Sequence, residues 1–184
     1  MKISVITVSY NSAATIERTI QSVLAQSEVS YEYIVVDGGS TDGTLKIINA
    51  YKERIQRLIC EKDKGIYDAM NKGVDAATGD IVAIINSDDF YTNKDVLKKV
   101  VDCFTMGEID ACFGDITYID KHDPKRVVRR WKVGEYEENK LSSGWIPPHP
   151  AFFVKKVWYD KLGGYDTRFK IAADYEWMLR CFMK

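Results

Sequence analysis

No charge of either sign dominates this chain: 26 Lys and Arg residues stand against 27 Asp and Glu residues, for a formal net charge of -1. Nucleic-acid binders present a basic field to the phosphates, so a nucleic-acid partner is excluded. The one local exception is Lys125-Arg126-Val127-Val128-Arg129-Arg130, either a solvated strand face or a patch for phosphate or lipid headgroups. Cysteine is scarce, and Cys60, Cys103, Cys112 and Cys181 form no Cys-x-x-Cys pair. Apolar neighbours around each predict buried free thiols in a reducing compartment. Histidine is scarcer: His122 and His149 share no ligand spacing, which argues against zinc. No apolar run approaches the ~20 residues that span a bilayer. Met1-Lys2 leads directly into a strand-like run with no signal peptide ahead of it. Gly-x-Ser-x-Gly, Walker and kinase motifs are missing, which removes several hydrolase and phosphotransferase classes. The expectation is a cytoplasmic protein, with peripheral attachment at the inner face of a membrane left open.

What is present is alternation. With 184 residues, 46% hydrophobic and 29% charged, the chain can build one domain with a real core. Ile3–Val8 is a short β-branched run, followed by Ile16, Ile20, Val23 and Leu24 at helical spacing. Asn11 or Ser12 is the expected cap of that helix. Tyr33–Val36 is a second strand, with Leu45, Ile48, Tyr51 and Ile55 on the helix behind it. Arg57–Cys60 and Ile81–Ile85 are the third and fourth strands, followed by helices over 66–77 and from about Asn93 to Phe104. Four strand–helix alternations predict an α/β fold with a mostly parallel, Rossmann-like sheet covered by helices on both faces. Ligands of such sheets bind beyond the carboxyl ends of the strands. The loops Ser9-Tyr10-Asn11, Asp37–Gly43 and Asn86–Asp89 should therefore open onto one edge. Beyond Met106 the pattern changes. Ala111–Ile119, Val127–Val133 and Ala151–Val154 read as strands, with a turn at Lys121-His122-Asp123-Pro124, and an amphipathic helix runs from Ala172 to Met183. Residues 1–106 thus form one half, and residues 107–184 a second half sharing the same sheet.

Five stretches could carry chemistry, and each also has a plain structural explanation. In Asp37-Gly38-Gly39-Ser40-Thr41-Asp42-Gly43, Asp37 could accept hydrogen bonds from a base or ribose. The stretch could equally be a tight loop with Thr41 or Asp42 capping the next helix. In Asn86-Ser87-Asp88-Asp89, hard oxygen ligands suit Mg²⁺ or Mn²⁺. A helix cap there would need one carboxylate, not two at the mouth of a buried strand. Lys62–Gly73 is either a charged loop and helix, with Gly73 near the helix end, or a pocket wall with Lys64 or Asp68 on a diphosphate or sugar. Asp174 is either a first-turn acid favoured by the helix dipole or a catalytic base. His149, between prolines, is a rigid loop wall or an acceptor contact.

The segments SVITVSYNS, YIVVDGGSTDGT, DKGIYDAMNKG, ATGDIVAIINSDDF and HPAFFVKK…GGYDTRF…AADYEWMLR occur in this order. Together they resemble the family 2 glycosyltransferases, of GT-A fold, over essentially the whole chain, and most of all the bacterial members that build surface polysaccharides. The resemblance implies inverting transfer of a sugar from a nucleotide diphosphate donor, a UDP-sugar first among them, to a saccharide or lipid-linked acceptor, with Mg²⁺ or Mn²⁺. It assigns Val8, Tyr10, Asp37, Asp68, Asn86 and Asp88 to the nucleotide and Asp88 and Asp89, the DXD position, to the metal. Asp174 becomes the general base, and His149 falls on the acceptor side. Residues 1–106 then become the nucleotide-sugar half and residues 107–184 the acceptor half, with a longer C-terminal segment common in relatives. Two departures stand out: Asp37 is followed by Gly38 where relatives often carry a second acid, and Asn86 stands where they often read Asp. Two other classes are a nucleotidyltransferase and a non-catalytic sugar-nucleotide-binding module. The first expects a Gly-rich, Arg/Lys-containing loop after the first strand, and Ser9-Tyr10-Asn11 is not one.

Overall fold

The structure, a computed structural model, describes residues 1–121, 123–141 and 143–184; His122 of the expected turn lies outside them. In chain order the elements are β1 (Lys2–Ser9), α1 (Ile16–Leu24), β2 (Ser30–Asp37), α2 (Thr44–Ala50), β3 (Arg57–Cys60), α3 (Ile66–Ala76), β4 (Ile81–Asn86) and α4 (Val96–Met106). There follow β5 (Ala111–Phe113), β6 (Ile116–Ile119), β7 (Val127–Trp131), α5 (Glu138–Leu141), β8 (Phe152–Lys155), α6 (Val157–Leu162) and α7 (Ala173–Phe182). Six strands make one sheet in the order β3-β2-β1-β4-β8-β5. The first four are parallel, and β8 runs antiparallel to both β4 and β5. Strands from either side of residue 106 therefore share the sheet.

Strand alternation sorts the apolar residues into two cores. Ile6, Val8, Ile34, Val36, Val82 and Ile84 face α3, α6 and α7. Ile3, Val5, Tyr33, Val35, Ile81, Ala83 and Ile85 face α1, α2 and α4. Right-handed crossovers explain the split. The chain steps from β1 to β2 to β3 in one direction, placing α1 and α2 on one face. It then returns past β1 to β4, which puts α3 on the other. Burying each Ile or Val side chain is worth roughly 1.5–3 kcal/mol, so these strands are the stable frame. Gly73 lies in the last turn of α3, near its end as expected, and a Cβ there would run into Ile6. Its lack of a side chain lets α3 lie close on β1.

Several expectations need correction. Neither Asn11 nor Ser12 caps α1. Its N-cap is Thr15, and the turn before it closes through the Ser12 carbonyl, which accepts from Thr15 and Ile16 at 3.0 Å. The helix behind β2 stops at Ala50 and a short 3-10 turn, Lys52–Arg54, carries the chain onward. Ala111–Ile119 is two strands in two sheets. The Gly114 N–H bonds to the Ala151 carbonyl at 2.9 Å, and Asp115 accepts from Val133 at 2.9 Å, so the chain leaves the main sheet there. β6 and β7 then form a separate antiparallel ribbon. On it, the basic cluster is solvated, with Arg129 over the Tyr118 and Trp131 rings. The thiols of Cys60 and Cys103 are exposed, not buried, and those of Cys112 and Cys181 are half-buried. α6 was not expected at all.

Candidate active site

The carboxyl ends of β1, β2 and β4 lie side by side, with Val8 opposite both Val36 and Asn86 and Ser9 opposite Asp37. The strand order reverses at this point, so a crevice opens between the loops. Hydrogen bonds knit those loops together. The Asn11 N–H donates to Ser40 Oγ at 2.8 Å, and Thr41 N–H donates to Asn11 Oδ1 at 2.9 Å. Ser12 N–H donates to Thr44 Oγ1 at 2.7 Å, while Ser87 Oγ donates to Ser12 Oγ at 2.8 Å. Asn11 takes a left-handed backbone, φ 49°, a conformation that Asn tolerates better than most residues. The convergence expected from the alternation is present.

Each acid on this edge sits in a different environment. Asp37 is fully buried, and its carboxylate accepts from Ser9 Oγ at 2.9 Å, Gly39 N–H at 3.1 Å, Ser40 N–H at 2.8 Å and Ser40 Oγ at 2.6 Å. A carboxylate has about four acceptor sites, so Asp37 shapes its own loop. A nucleoside could bond to it only by displacing one of these donors. Neither Thr41 nor Asp42 caps α2, whose N-cap is Gly43; the Asp42 carboxylate instead accepts from Thr44 N–H at 2.9 Å and Ala13 N–H at 3.1 Å, tying the loop to the one after β1. Asp68 accepts from Lys64 N–H at 3.0 Å and pairs with Lys72 at 3.3 Å, bracing the loop before α3. That loop reaches the glycines that follow Asp37: a Cβ at Gly38 would strike the Asp63 carboxylate. Val8 is buried among Ile6, Ile34 and Val36, whereas the Tyr10 ring is 62% exposed.

Asp88 and Asp89 are the unbalanced pair. Asp88 is exposed and Asp89 half-buried. Asp89 receives one weak bond, from Asn86 Nδ2 at 3.3 Å. Burial, then the Asp88 charge beside it, push its pKa up to about 6, against smaller opposition from Asn86 and Arg18. The Asn86 Oδ1 atom is buried and has no hydrogen-bond partner. Two adjacent carboxylates, with an unpartnered amide oxygen on the neighbouring Asn86, are hard-oxygen donors of the type that suits Mg²⁺ or Mn²⁺. Among the described residues no group of three or more His, Cys, Asp or Glu could cage an ion. An ion here would therefore complete its shell with phosphate oxygens and water.

His149 and Asp174, from the second half of the chain, reach the same edge. His149 lies in the 3-10 turn ahead of β8, at the carboxyl end of its antiparallel partner β4. Asp174, in the first turn of α7, accepts from Tyr67 Oη at 2.8 Å, and Tyr67 opens α3 on this edge. Ala172, just before α7, holds a left-handed backbone at φ 65°, which costs a non-glycine residue roughly 1–2 kcal/mol. His149 Nε2 is 3.1 Å from Tyr165 Oη, and burial lowers its pKa against the opposing charge of Asp174, so it is held neutral. Tyr67, Asn71 and Tyr165 had not been singled out. Their signal was the pair Tyr67 and Asn71, polar at i and i+4 beside the apolar Met70 and Val74.

A model of the family described as Glycosyl transferase family 2 matches residues 4–169. The chain is 32% identical over 183 residues to a PGL/p-HBAD biosynthesis glycosyltransferase of Mycobacterium bovis (strain BCG / Pasteur 1173P2), covering 97% of this chain and 69% of that one. It is 33% identical over 181 residues to an uncharacterized glycosyltransferase of Mycobacterium tuberculosis (strain ATCC 25618 / H37Rv), covering 97% and 68%. Among solved structures, S. aureus TarS 1-349 superposes with a TM-score of 0.80 at 21% identity, over 100% of this chain and 56% of that one. The mannosyltransferase PcManGT from Pyrobaculum calidifontis, solved with GDP-Man and Mn2+, gives 0.70 at 24% identity, over 94% and 49%. The chain spans about half the length of these solved structures. It belongs to glycosyl transferase family 2, and its fold is that of the GT-A glycosyltransferases.

Proposed function

We propose that this chain transfers a sugar, with inversion, from a nucleotide diphosphate sugar to a hydroxyl of a saccharide or lipid-linked acceptor in cell-surface polysaccharide synthesis. The observation that carries it is the Asp88–Asp89 pair, poorly compensated at the switch point of the sheet. The M. bovis relative, named a PGL/p-HBAD biosynthesis glycosyltransferase, supports a transfer in a biosynthetic setting. Residues 1–106 supply the nucleotide side: the exposed Tyr10 ring beside the base, the Asp37 loop at the ribose, and Asp68 bracing the loop that walls the diphosphate. Residues 107–184 supply the acceptor side, with His149 in its wall. Asp88 and Asp89, with Asn86 Oδ1, would hold Mg²⁺ or Mn²⁺, which when bound neutralises charge on the departing diphosphate. Asp174 takes the acceptor hydroxyl proton as that oxygen bonds to the anomeric carbon. The bond from that carbon to the diphosphate breaks and the nucleoside diphosphate leaves. General base action of this kind is worth about 10²–10⁴-fold. Among the described residues no helix is long and apolar enough to cross a membrane. A cytoplasmic enzyme would meet a lipid-linked acceptor at the inner face of the membrane.

The test is a thermal-shift panel of UDP-, GDP-, dTDP- and CDP-sugars with and without Mn²⁺. UDP-GlcNAc comes first because TarS 1-349 was solved with it, and GDP-Man second because PcManGT was. Ligand at 100 times Kd stabilises by about 2.7 kcal/mol, so one nucleotide should stand out, and only with the ion. No ion-dependent shift with any donor would overturn the proposal. Measuring donor hydrolysis and acceptor transfer separately distinguishes an enzyme from a binding module.

A further inference from the structure

The hydrogen bond from Tyr67 to Asp174 spans 107 positions of sequence and joins the donor-side helix α3 to the acceptor-side helix α7. We propose that Tyr67 is a positioning residue that fixes the Asp174 carboxylate toward the acceptor hydroxyl. The inference rests on Asp174 being the general base.

Three features place the phenol. Gly73 lets α3 lie against Ile6 of β1, which sets the depth of the helix on the sheet. One turn along α3, Asn71 grips the backbone of Tyr165: its Nδ2 donates to the Tyr165 carbonyl at 2.8 Å, and its Oδ1 accepts from the Tyr165 N–H at 2.7 Å. Gly164 beside it has no room for a Cβ against the Asn71 amide. The Tyr67 ring packs against Tyr165 with centroids 5.8 Å apart, and the phenol oxygen also lies at the first N–H groups of α7, those of Ala173 and Asp174. The oxygen thus donates to Asp174 Oδ1 while the helix start orients it. Burial, then the Asp174 carboxylate, raise the phenol pKa, so it remains a donor at neutral pH. A donor to the carboxylate favours its charged form, the one a base requires. The other titratable groups facing Asp174 are His149 and Tyr165. Burial lowers the pKa of the first, against the charge of Asp174, and raises that of the second well above the usual phenol value.

The experiment compares wild type, Tyr67→Phe and protein carrying 3-fluorotyrosine at position 67, by transfer rate against pH and donor KM. Phenylalanine keeps the ring and removes the donor. It should lower kcat about tenfold, the scale of one hydrogen bond to a charged group, with donor KM unchanged. The acid limb of the profile should rise by about one pH unit. 3-Fluorotyrosine keeps the shape but is the stronger donor, so it should move the limb the opposite way. An unmoved limb in both proteins, or a kcat loss matched by a rise in donor KM, would overturn the proposal. Asp174→Asn in the same assay separates the two levels. If it retains transfer, the base assignment itself falls. If it is inactive while Tyr67→Phe behaves as wild type, only the positioning role falls.

Discussion

Glu32 at the amino edge of the sheet and Asp89 at the carboxyl edge, both partly withdrawn from water, are treated in opposite ways. At the amino edge, Glu32 of β2 accepts from Ser4 Oγ, from Thr78 N–H at 2.7 Å and Thr78 Oγ1, and pairs with Lys2 at 2.9 Å. Although burial alone would raise its pKa, these partners bring it down to about 2. At the carboxyl edge, Asp89 has one long bond from Asn86 and a second negative charge beside it, and its pKa rises to about 6. A fold that can surround Glu32 with donors leaves Asp89 without them. Glu32 at the amino edge and Asp37 at the carboxyl edge are both satisfied by the protein, and Asp89 is left for a cationic partner, as expected where unmet charge gathers at functional sites.

Asp89→Asn attacks this contrast most directly. It removes one carboxylate at nearly constant shape, so transfer should fall by about 10²-fold or more and the ion-dependent thermal shift with donor should vanish. The same protein should be more stable than wild type once ions are chelated. The folded pKa of Asp89, about 6, lies above its ordinary 3.8. Its ionisation therefore penalises the fold fully above pH 6, and the penalty fades as pH falls toward 3.8. At pH 7.5 in chelator, Asp89→Asn should gain about 2–3 kcal/mol by urea unfolding, shrinking to near zero below pH 4. Equal stability of the two proteins at pH 7.5 would mean that Asp89 is not the stressed group described.

How much of this was legible in the sequence follows the same division. β1 to β4 lie within a few residues of the runs that announced them, because buried β-branched strands are written locally. The three converging loops followed from the alternation and the rule for parallel sheets. What could not be read depends on distant partners. Three of the four donors to Asp37 come from the adjoining Gly39 and Ser40, but the fourth, Ser9, is on another strand, and nothing near Asp174 says that Tyr67 meets it. Cys60 and Cys103 have apolar sequence neighbours yet face solvent, since chain neighbours do not determine which side of an element is covered. The six residues of α6 are too few to show a helical period. Ala111–Ile119 broke into two sheets through bonds made to Ala151 and Val133.

Glu32→Gln provides the smallest effect and the control for the comparison. It keeps the shape at the amino edge and removes the charge that Lys2, Ser4 and Thr78 serve. Because the folded pKa, about 2, lies below the ordinary 4.5, the contribution of Glu32 is complete above pH 4.5 and disappears as pH falls through about 2. Glu32→Gln should therefore cost about 1–2 kcal/mol at pH 7, the range of a charge-assisted hydrogen bond partly open to solvent, and progressively less in acid. Donor binding and transfer should not change, because the cluster lies at the opposite edge from Asp88, Asp89 and Asp174. Urea unfolding at pH 7 and pH 3 beside a transfer assay reads both. A variant that lost transfer at full stability would show that the amino edge is not merely structural, and the division between the two edges would have to be redrawn.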